Sequence, residues 1–183
     1  MSQTAAFIGR ITNDIKWGPG ERASLRLLAG RGLDVDVDGF DLFTGLWWPL
    51  RAKNAAAPRR EIAWLVTKLY AAFPIQHERC ERDGPTALAV ILGREERRLL
   101  VDADRERLRQ HFDSLLCAEL AGIEPDLRWA LTAVQRAVAR GRSIGLDWVQ
   151  LTDDLSVWDR GEEHRLRRDV RELWAQQYWQ ARL

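Results

Sequence analysis

Apolar residues recur at helical spacing along most of the chain, most regularly between Ile144 and Leu183. The first series in this stretch has members three or four residues apart: Trp148, Leu151, Leu155 and Trp158. After an interruption at Asp159–Gly161, a second series follows at intervals of four: Leu166, Val170, Trp174 and Tyr178. Positions with this spacing share one face of a helix. We therefore predict a helical hairpin with tryptophans along both inner faces, and Asp147 as the N-cap of its first helix.

The same periodicity predicts amphipathic helices in most of the remaining chain, with glycine, proline and aspartate marking their ends. The clearest of these cover residues 4–16, 21–29, 40–48, 58–73, 94–101 and 104–120, and another begins at residue 126. Residues 87–92 would also suit a strand, but their helical surroundings favour a short buried helix. We therefore predict an all-α fold of eight to nine helices in two small packed helical bundles.

A polar loop over residues 74–84 separates two groups of predicted helices. We expect an N-terminal helical lobe at residues 1–84 and a C-terminal helical lobe at residues 85–183. A single compact unit is the alternative, because no long linker joins the two groups.

Composition narrows the class of protein. Nine tryptophans in 183 residues are many, and most of them must be buried or face a partner. The net charge of +1 argues against coating of nucleic acid by bulk charge, but it leaves local patches open. The apolar runs are too short to cross a bilayer and the N-terminus lacks the layout of a secretion signal, so we expect a cytoplasmic protein. The widely spaced Cys80 and Cys117 suit free thiols.

The sequence contains no catalytic motif that we recognise: there is no phosphate-cradling glycine loop, no GxSxG and no HExxH. Asp153 and Asp154 are adjacent, so on a helix their side chains diverge by about 100 degrees and cannot share a site. His111 lies near an apolar face, which is typical of a structural histidine. We expect neither an enzyme nor a bound cofactor.

One acidic segment resembles a metal site. Asp34, Asp36 and Asp38 match the start of a calcium-binding EF-hand loop, but the twelfth position, which needs a bidentate glutamate, is Gly45. We interpret the segment as an acidic loop and expect no bound metal. A metal-dependent hydrolase that uses the three aspartates is the least favoured alternative.

Arginine carries nearly all of the positive charge, because only three of the 28 basic residues are lysines. A guanidinium group binds phosphate oxygens through two parallel hydrogen bonds, which an ammonium group cannot do. Two clusters have little acid nearby and favour phosphate contact: Arg136, Arg140 and Arg142, and Arg165, Arg167, Arg168 and Arg171. Around Arg97 and Arg98, in REERRLL, acids are interleaved, so solvated ion pairs are an equal alternative there.

Three stretches, taken in order, resemble a known family. They are GERASLRLLAG near the start, a WWPL stretch after it, and the ending LDWVQLTDDLSVWDRG…VRELWAQQYW. Over Gly20–Trp179 the chain resembles the CasB family, the small subunit of the type I-E CRISPR Cascade surveillance complex. The resemblance implies an all-helical, non-catalytic protein. It implies as partners the Cascade backbone and large subunits, guide RNA, target DNA with its displaced strand, and a second copy of the chain.

The resemblance also implies a role, since CasB proteins support the guide–target duplex and hold the displaced strand of the R-loop in a basic groove. Arg26 matches a basic position of the first motif, whereas Leu27 stands where the family often has a second arginine. Arg136 and Arg140 fall where the family keeps basic residues. We add further basic residues because of the positive charge around them. The candidate nucleic-acid-binding residues are then Arg22, Arg26, Arg51, Lys53, Arg97, Arg98, Arg136, Arg140 and Arg142. The alternative function is a helical protein–protein scaffold without nucleic-acid contact.

Overall fold

The computed structural model describes residues 3–12, 19–31, 58–80, 84–159 and 169–183. The regular structure of these ranges consists of eight α-helices and a single-turn 3-10 helix at Leu120–Gly122. The α-helices are α1 Gln3–Ile11, α2 Pro19–Leu27, α3 Arg60–Ala72, α4 Leu88–Arg98, α5 Asp102–Cys117, α6 Glu124–Ala139, α7 Trp148–Leu155 and α8 Val170–Arg182. The all-α prediction is confirmed for these ranges. The predicted helix 40–48, the EF-hand-like loop and Leu166 lie outside them.

Two compact units divide the chain, Met1–His77 and Glu78–Leu183. The boundary falls inside the polar loop rather than at its end, because the middle of that loop is tied to the second unit. The backbone amide of Cys80 donates a hydrogen bond to the Asp147 carboxylate, with a nitrogen–oxygen distance of 3.0 Å. Both partners therefore belong to the C-terminal unit.

In the first unit, α2 packs on α3, and α3 is buried almost all round. Every residue of α3 from Ile62 to Ala71 is buried, including the charged Lys68. A buried ammonium group needs a polar partner, and the Lys68 Nζ atom donates to the carbonyl oxygen of Arg31 at 2.9 Å. The sequence pattern predicted a single apolar stripe on this helix, so its complete burial is a tertiary effect.

In the second unit, α4 is the central helix: it packs along α8 and also contacts α5 and α6. The prediction of two separate helices, at 87–92 and 94–101, is wrong, because α4 runs without a break through Gly93. A glycine is needed there because α4 approaches the backbone of α8. A Cβ atom at Gly93 would overlap the carbonyl oxygen of Tyr178 and would lie 3.0 Å from the Cβ atom of Ala181.

This close approach predicts the effect of Gly93→Ala. Alanine is the better helix former by about 1 kcal/mol, yet the overlap with a backbone oxygen reverses the sign. We expect the free energy of unfolding to fall by about 1–3 kcal/mol, as for other overpacked interiors. Chemical denaturation measures the change. Gly9→Ala is the matched control, since a Cβ atom at Gly9 in α1 meets nothing within 4 Å; a Gly93→Ala variant as stable as the parent would contradict the packing described.

The predicted C-terminal hairpin has its two helices, but α7 ends at Leu155, before Trp158, and the predicted pairing of the two helices is wrong. Asp147 caps α7 as predicted, since its carboxylate accepts hydrogen bonds from the amides of Val149 and Gln150 at 3.0 Å each. However, α8 packs mainly along α4 rather than along α7. The predicted tryptophan contact is present, because Trp158 and Trp174 meet edge to face with ring centroids 5.0 Å apart.

The helix α5 begins two residues before Asp104, which therefore lies in its first turn and is not its N-cap residue. Leu116 in α5 and Leu120 in the 3-10 helix are half-buried. Val138 is 40% exposed, because the buried face of α6 runs through Ala137 at that point.

Candidate nucleic-acid interface

The N-terminal unit presents two of the candidate arginines on α2. Arg26 is exposed, and its Nε atom donates to the carbonyl oxygen of Ala71 at 2.6 Å. That hydrogen bond ties α2 to the end of α3 and keeps the guanidinium group at the surface. Arg22, one helical turn earlier, is half-buried. Arg51 and Lys53 lie outside the described residues.

Two adjacent glutamates on α4 are buried, which places charged groups inside the second unit. Glu95 is 5 % exposed and Glu96 is 2 % exposed. Glu95 accepts a hydrogen bond from Arg98 at 3.0 Å, and a second one from Arg142 in the segment after α6. This shared carboxylate brings the C-terminal end of α4 beside the C-terminal end of α6. It thereby joins two groups of candidate arginines that are far apart in sequence.

The C-terminal end of α6 carries two further candidate arginines. Arg136 lies in the last turn, Arg140 is the C-cap residue, and both are exposed. Gly141, with a φ of 82°, then turns the chain toward Arg142. Among the described residues, no carboxylate lies within salt-bridge distance of Arg136 or Arg140. Both guanidinium groups therefore face solvent without an acidic partner in that part of the chain.

Arg97, the neighbour of Arg98 in sequence, lies at a different cleft, whose lining includes the acids Glu96, Asp102 and Glu106. It is exposed on α4, and it lines this cleft of about 450 Å³ together with side chains of α5 and α8.

We call the following four residues the arginine patch: Arg98, Arg136, Arg140 and Arg142. Within the described ranges, Glu95 is the carboxylate that forms ion pairs with members of the patch. The positive charges of the patch therefore outnumber the acid that pairs with them.

Glu96 holds a separate ion-pair network at the same cleft. The Arg109 guanidinium donates to it at 2.7 Å, Arg182 lies at 3.6 Å, and the Tyr178 hydroxyl donates a further hydrogen bond. Burial raises the pKa of Glu96, but the hydrogen bonds from Tyr178 and Arg109 and the positive charges of Arg182 and Arg109 outweigh burial, so its pKa lies below the ordinary value. Burial also raises the pKa of the Tyr178 hydroxyl, and the bond to Glu96 adds to that shift. Glu96 is therefore ionised in the folded protein at neutral pH.

The organising role of Glu95 and Glu96 was missed by sequence reasoning. Interleaved acids and arginines in REERRLL are compatible with solvated ion pairs, whereas the structure buries both acids. A signal was nevertheless present in the sequence. Leu88 and Leu92 lie four residues apart on one helix face, and Glu95 and Glu96 occupy the positions three and four residues after Leu92. The apolar face thus continues directly into the two acids.

Of the C-terminal arginine cluster, the structure describes only Arg171. Arg171 pairs with Asp159 at 3.2 Å, and its guanidinium carbon lies 5.4 Å from the ring centroid of Trp158. These contacts give Arg171 a structural role at the end of α7. The other members of the cluster lie outside the described residues: Arg165, Arg167 and Arg168.

The residues considered for catalysis occupy structural positions. His111 stacks on Trp129 with ring centroids 4.4 Å apart. Asp154 is buried and accepts a hydrogen bond from an α8 indole at 2.8 Å, whereas Asp153 is exposed, so the two share no site.

Both cysteines are free, as their wide spacing in the sequence predicted. None of the described helices is long and apolar enough to span a membrane.

Comparison with known proteins gives one family and several similar folds. The family model of CRISPR-associated protein Cse2 matches residues 21–179. CasB of M. ruber matches with a TM-score of 0.70 at 20% identity, over 98% of this chain and 94% of that one. TTHB189, a Cse2-family CRISPR-associated protein from Thermus thermophilus, gives 0.68 at 22% identity, over 98% and 99%. A chain of a CRISPR RNA-guided surveillance complex gives 0.66 at 21% identity, over 98% and 93%. No curated protein matches the chain.

Proposed function

Since the chain belongs to the Cse2 family of CRISPR-associated proteins, we propose that it is a non-catalytic subunit of a type I-E CRISPR Cascade complex. It binds nucleic-acid backbones through arginine-rich surfaces and stabilises the R-loop of guide RNA and target DNA, including the displaced strand. Its partners are the Cascade backbone and large subunits, both nucleic acids and a second copy of itself. The fold it shares with a chain of a CRISPR RNA-guided surveillance complex supports this assignment. Its setting is the cytoplasm, where guide and target meet.

The observation that carries the proposal is the arginine patch. Arg136 and Arg140 are exposed and have no acidic partner in the described ranges. Glu95 pairs with both Arg98 and Arg142, and Arg142 follows Arg140 by two residues. The helix dipole stabilises each cation at a helix C-terminus by about 0.3–1 kcal/mol. That effect explains one or two arginines at the end of α6, but not the pairing of Arg98, from α4, with the same carboxylate as Arg142.

A patch of this kind suits backbone binding rather than sequence reading. Guanidinium groups contact phosphate oxygens, and such contacts orient a protein on nucleic acid without selecting bases. Exchange of a DNA duplex for an RNA–DNA hybrid is nearly balanced in free energy, so a few backbone contacts are enough to favour the open R-loop. A displaced single strand likewise needs cations along its path.

Neutralising the end of α6 tests the proposal. We expect Arg136→Gln with Arg140→Gln to weaken binding of single-stranded DNA by about 1–3 kcal/mol in total, the scale of charged hydrogen bonds. Because both side chains are exposed, the thermal melt should stay close to that of the parent. Fluorescence anisotropy with oligothymidylates, repeated over a range of salt concentrations, measures the affinity and its salt dependence.

The matched control removes two exposed arginines outside the patch, as Arg59→Gln with Arg107→Gln. If the control weakens binding as much as the patch variant, only net charge matters and the patch has no special role. If the parent chain binds no single strand at any salt concentration, direct nucleic-acid contact by this chain is refuted.

A helical protein–protein scaffold is the second candidate, and one observation favours it. Trp179 and Leu183 lie four residues apart at the end of α8 and are 54% and 75% exposed. Exposed apolar side chains of this size are typical of protein contacts. A scaffold would assemble with partner subunits but would show no salt-dependent binding of single strands.

A further inference from the structure

Glu95 is the one described acid that pairs with members of the arginine patch. Its side chain is buried, yet both carboxylate oxygens are in use: Oε1 accepts from Arg98 at 3.0 Å and Oε2 accepts from Arg142. Arg98 belongs to the same helix, whereas Arg142 comes from the segment after α6. One carboxylate therefore sets the position of two guanidinium groups from different parts of the chain.

Neutralising the charge of Glu95 does not require two arginines. A buried carboxylate needs a cationic partner to offset its desolvation, and one arginine supplies it. The second arginine leaves the group with a net positive charge. A guanidinium group has five N–H donors, so each arginine keeps donors that the carboxylate does not occupy. The side chains of Arg98 and Arg142 are 50% and 29% exposed, so those donors can reach a ligand in solvent.

Resting on the function proposed above, we infer that Glu95 is a positioning residue of the nucleic-acid interface. It holds Arg98 and Arg142 in the conformation that binds phosphates of a single strand. An arginine held in place before binding loses less side-chain entropy when it contacts a phosphate. Glu95 touches no nucleic acid itself and acts through the two arginines.

This inference and simple electrostatics predict opposite results for Glu95→Gln. The substitution removes a negative charge from the interface, so attraction by charge alone would strengthen binding of a polyanion. Loss of positioning would weaken binding, because Arg98 and Arg142 would no longer present their donors together. The sign of the change therefore distinguishes the two effects.

The experiment measures binding of the full chain to oligothymidylates by fluorescence anisotropy over a range of salt concentrations. We expect Glu95→Gln to bind about tenfold more weakly than the parent. Its salt slope should be smaller by about 1.4, since each phosphate contact to a single strand contributes about 0.7. The matched control is Asp113→Asn on α5, which removes the same charge from an exposed carboxylate outside the patch. It should bind as tightly as the parent or slightly more tightly.

Two outcomes overturn the inference. One is a Glu95→Gln variant that binds like Asp113→Asn with an unchanged salt slope. The other applies if Glu95→Gln no longer melts cooperatively. Arg98→Gln is then measured instead, because Arg142 still neutralises Glu95 in that variant. A salt slope equal to that of the parent for Arg98→Gln means that this arginine contacts no phosphate, and the positioning role is then lost.

The same measurements separate this inference from the proposed function. If Arg136→Gln with Arg140→Gln weakens binding while Glu95→Gln does not, nucleic-acid binding stands and only the role of Glu95 fails. If the parent chain binds no single strand, both fail together. Weaker binding by Glu95→Gln, with a reduced salt slope and a cooperative melt, supports the positioning role.

Discussion

Trp158→Ala is expected to lower the free energy of unfolding by about 3–5 kcal/mol, the usual cost of removing a large buried aromatic side chain. Trp158 is 3% exposed and meets Trp174 edge to face. Its indole nitrogen donates to the carbonyl oxygen of Ala118 at 2.9 Å. The substitution therefore removes packing and also leaves a carbonyl group without its partner.

Thermal and chemical denaturation of the purified chain measure this loss. Trp158→Phe separates the two contributions, because phenylalanine keeps most of the apolar volume but cannot donate the hydrogen bond. Trp179→Ala is the control, since that indole is 54% exposed and its loss should change stability by well under half as much. A Trp158→Ala variant with the same melting temperature as the parent would show that this indole does not stabilise the core.

Glu96→Gln is expected to destabilise the C-terminal unit by about 3 kcal/mol, because loss of one partner of a buried ion pair leaves the others uncompensated. Arg109, Arg182 and Tyr178 all donate to or face the Glu96 carboxylate. Water can reach the two arginines, which places the cost at the low end of the usual range for buried pairs.

The lowered pKa of Glu96 also predicts how stability depends on pH. The unfolded chain takes up a proton at this group near its ordinary value of 4.5, while the folded chain still holds the carboxylate ionised. Protonation therefore favours the unfolded state as the pH falls below about 4.5, and the contribution of Glu96 is fully present above that value. Loss of stability on acidification should be smaller in Glu96→Gln, which has no carboxylate to protonate.

Denaturant unfolding at neutral and at acidic pH tests both statements. Glu106→Gln is the matched control: Glu106 pairs with the same Arg109 at 3.2 Å, but its side chain is 54% exposed. Exposed pairs contribute about 0–1 kcal/mol. Equal losses for the two variants would mean that burial of Glu96 does not strengthen its ion pairs.

The arginine patch was only partly predictable from the sequence. The absence of nearby acids indicated that Arg136 and Arg140 are exposed and unpaired, and the described residues agree with that. The approach of Arg142 to Arg98 could not be predicted, because it depends on a glutamate that α4 buries. A sequence shows that Glu95 is charged, but not that its carboxylate lies inside the unit.

What the sequence determined by itself is most of the described helices and most of their buried faces. Apolar spacing reports helix geometry, and the Asp147 cap needs only amides a few residues away, so both are local properties. Only the tertiary structure decided that α8 packs along α4, because that pairing depends on close backbone approach at Gly93. The same packing buries Glu95 and Glu96, and burial turns two ordinary acids into the groups that gather arginines from separate helices.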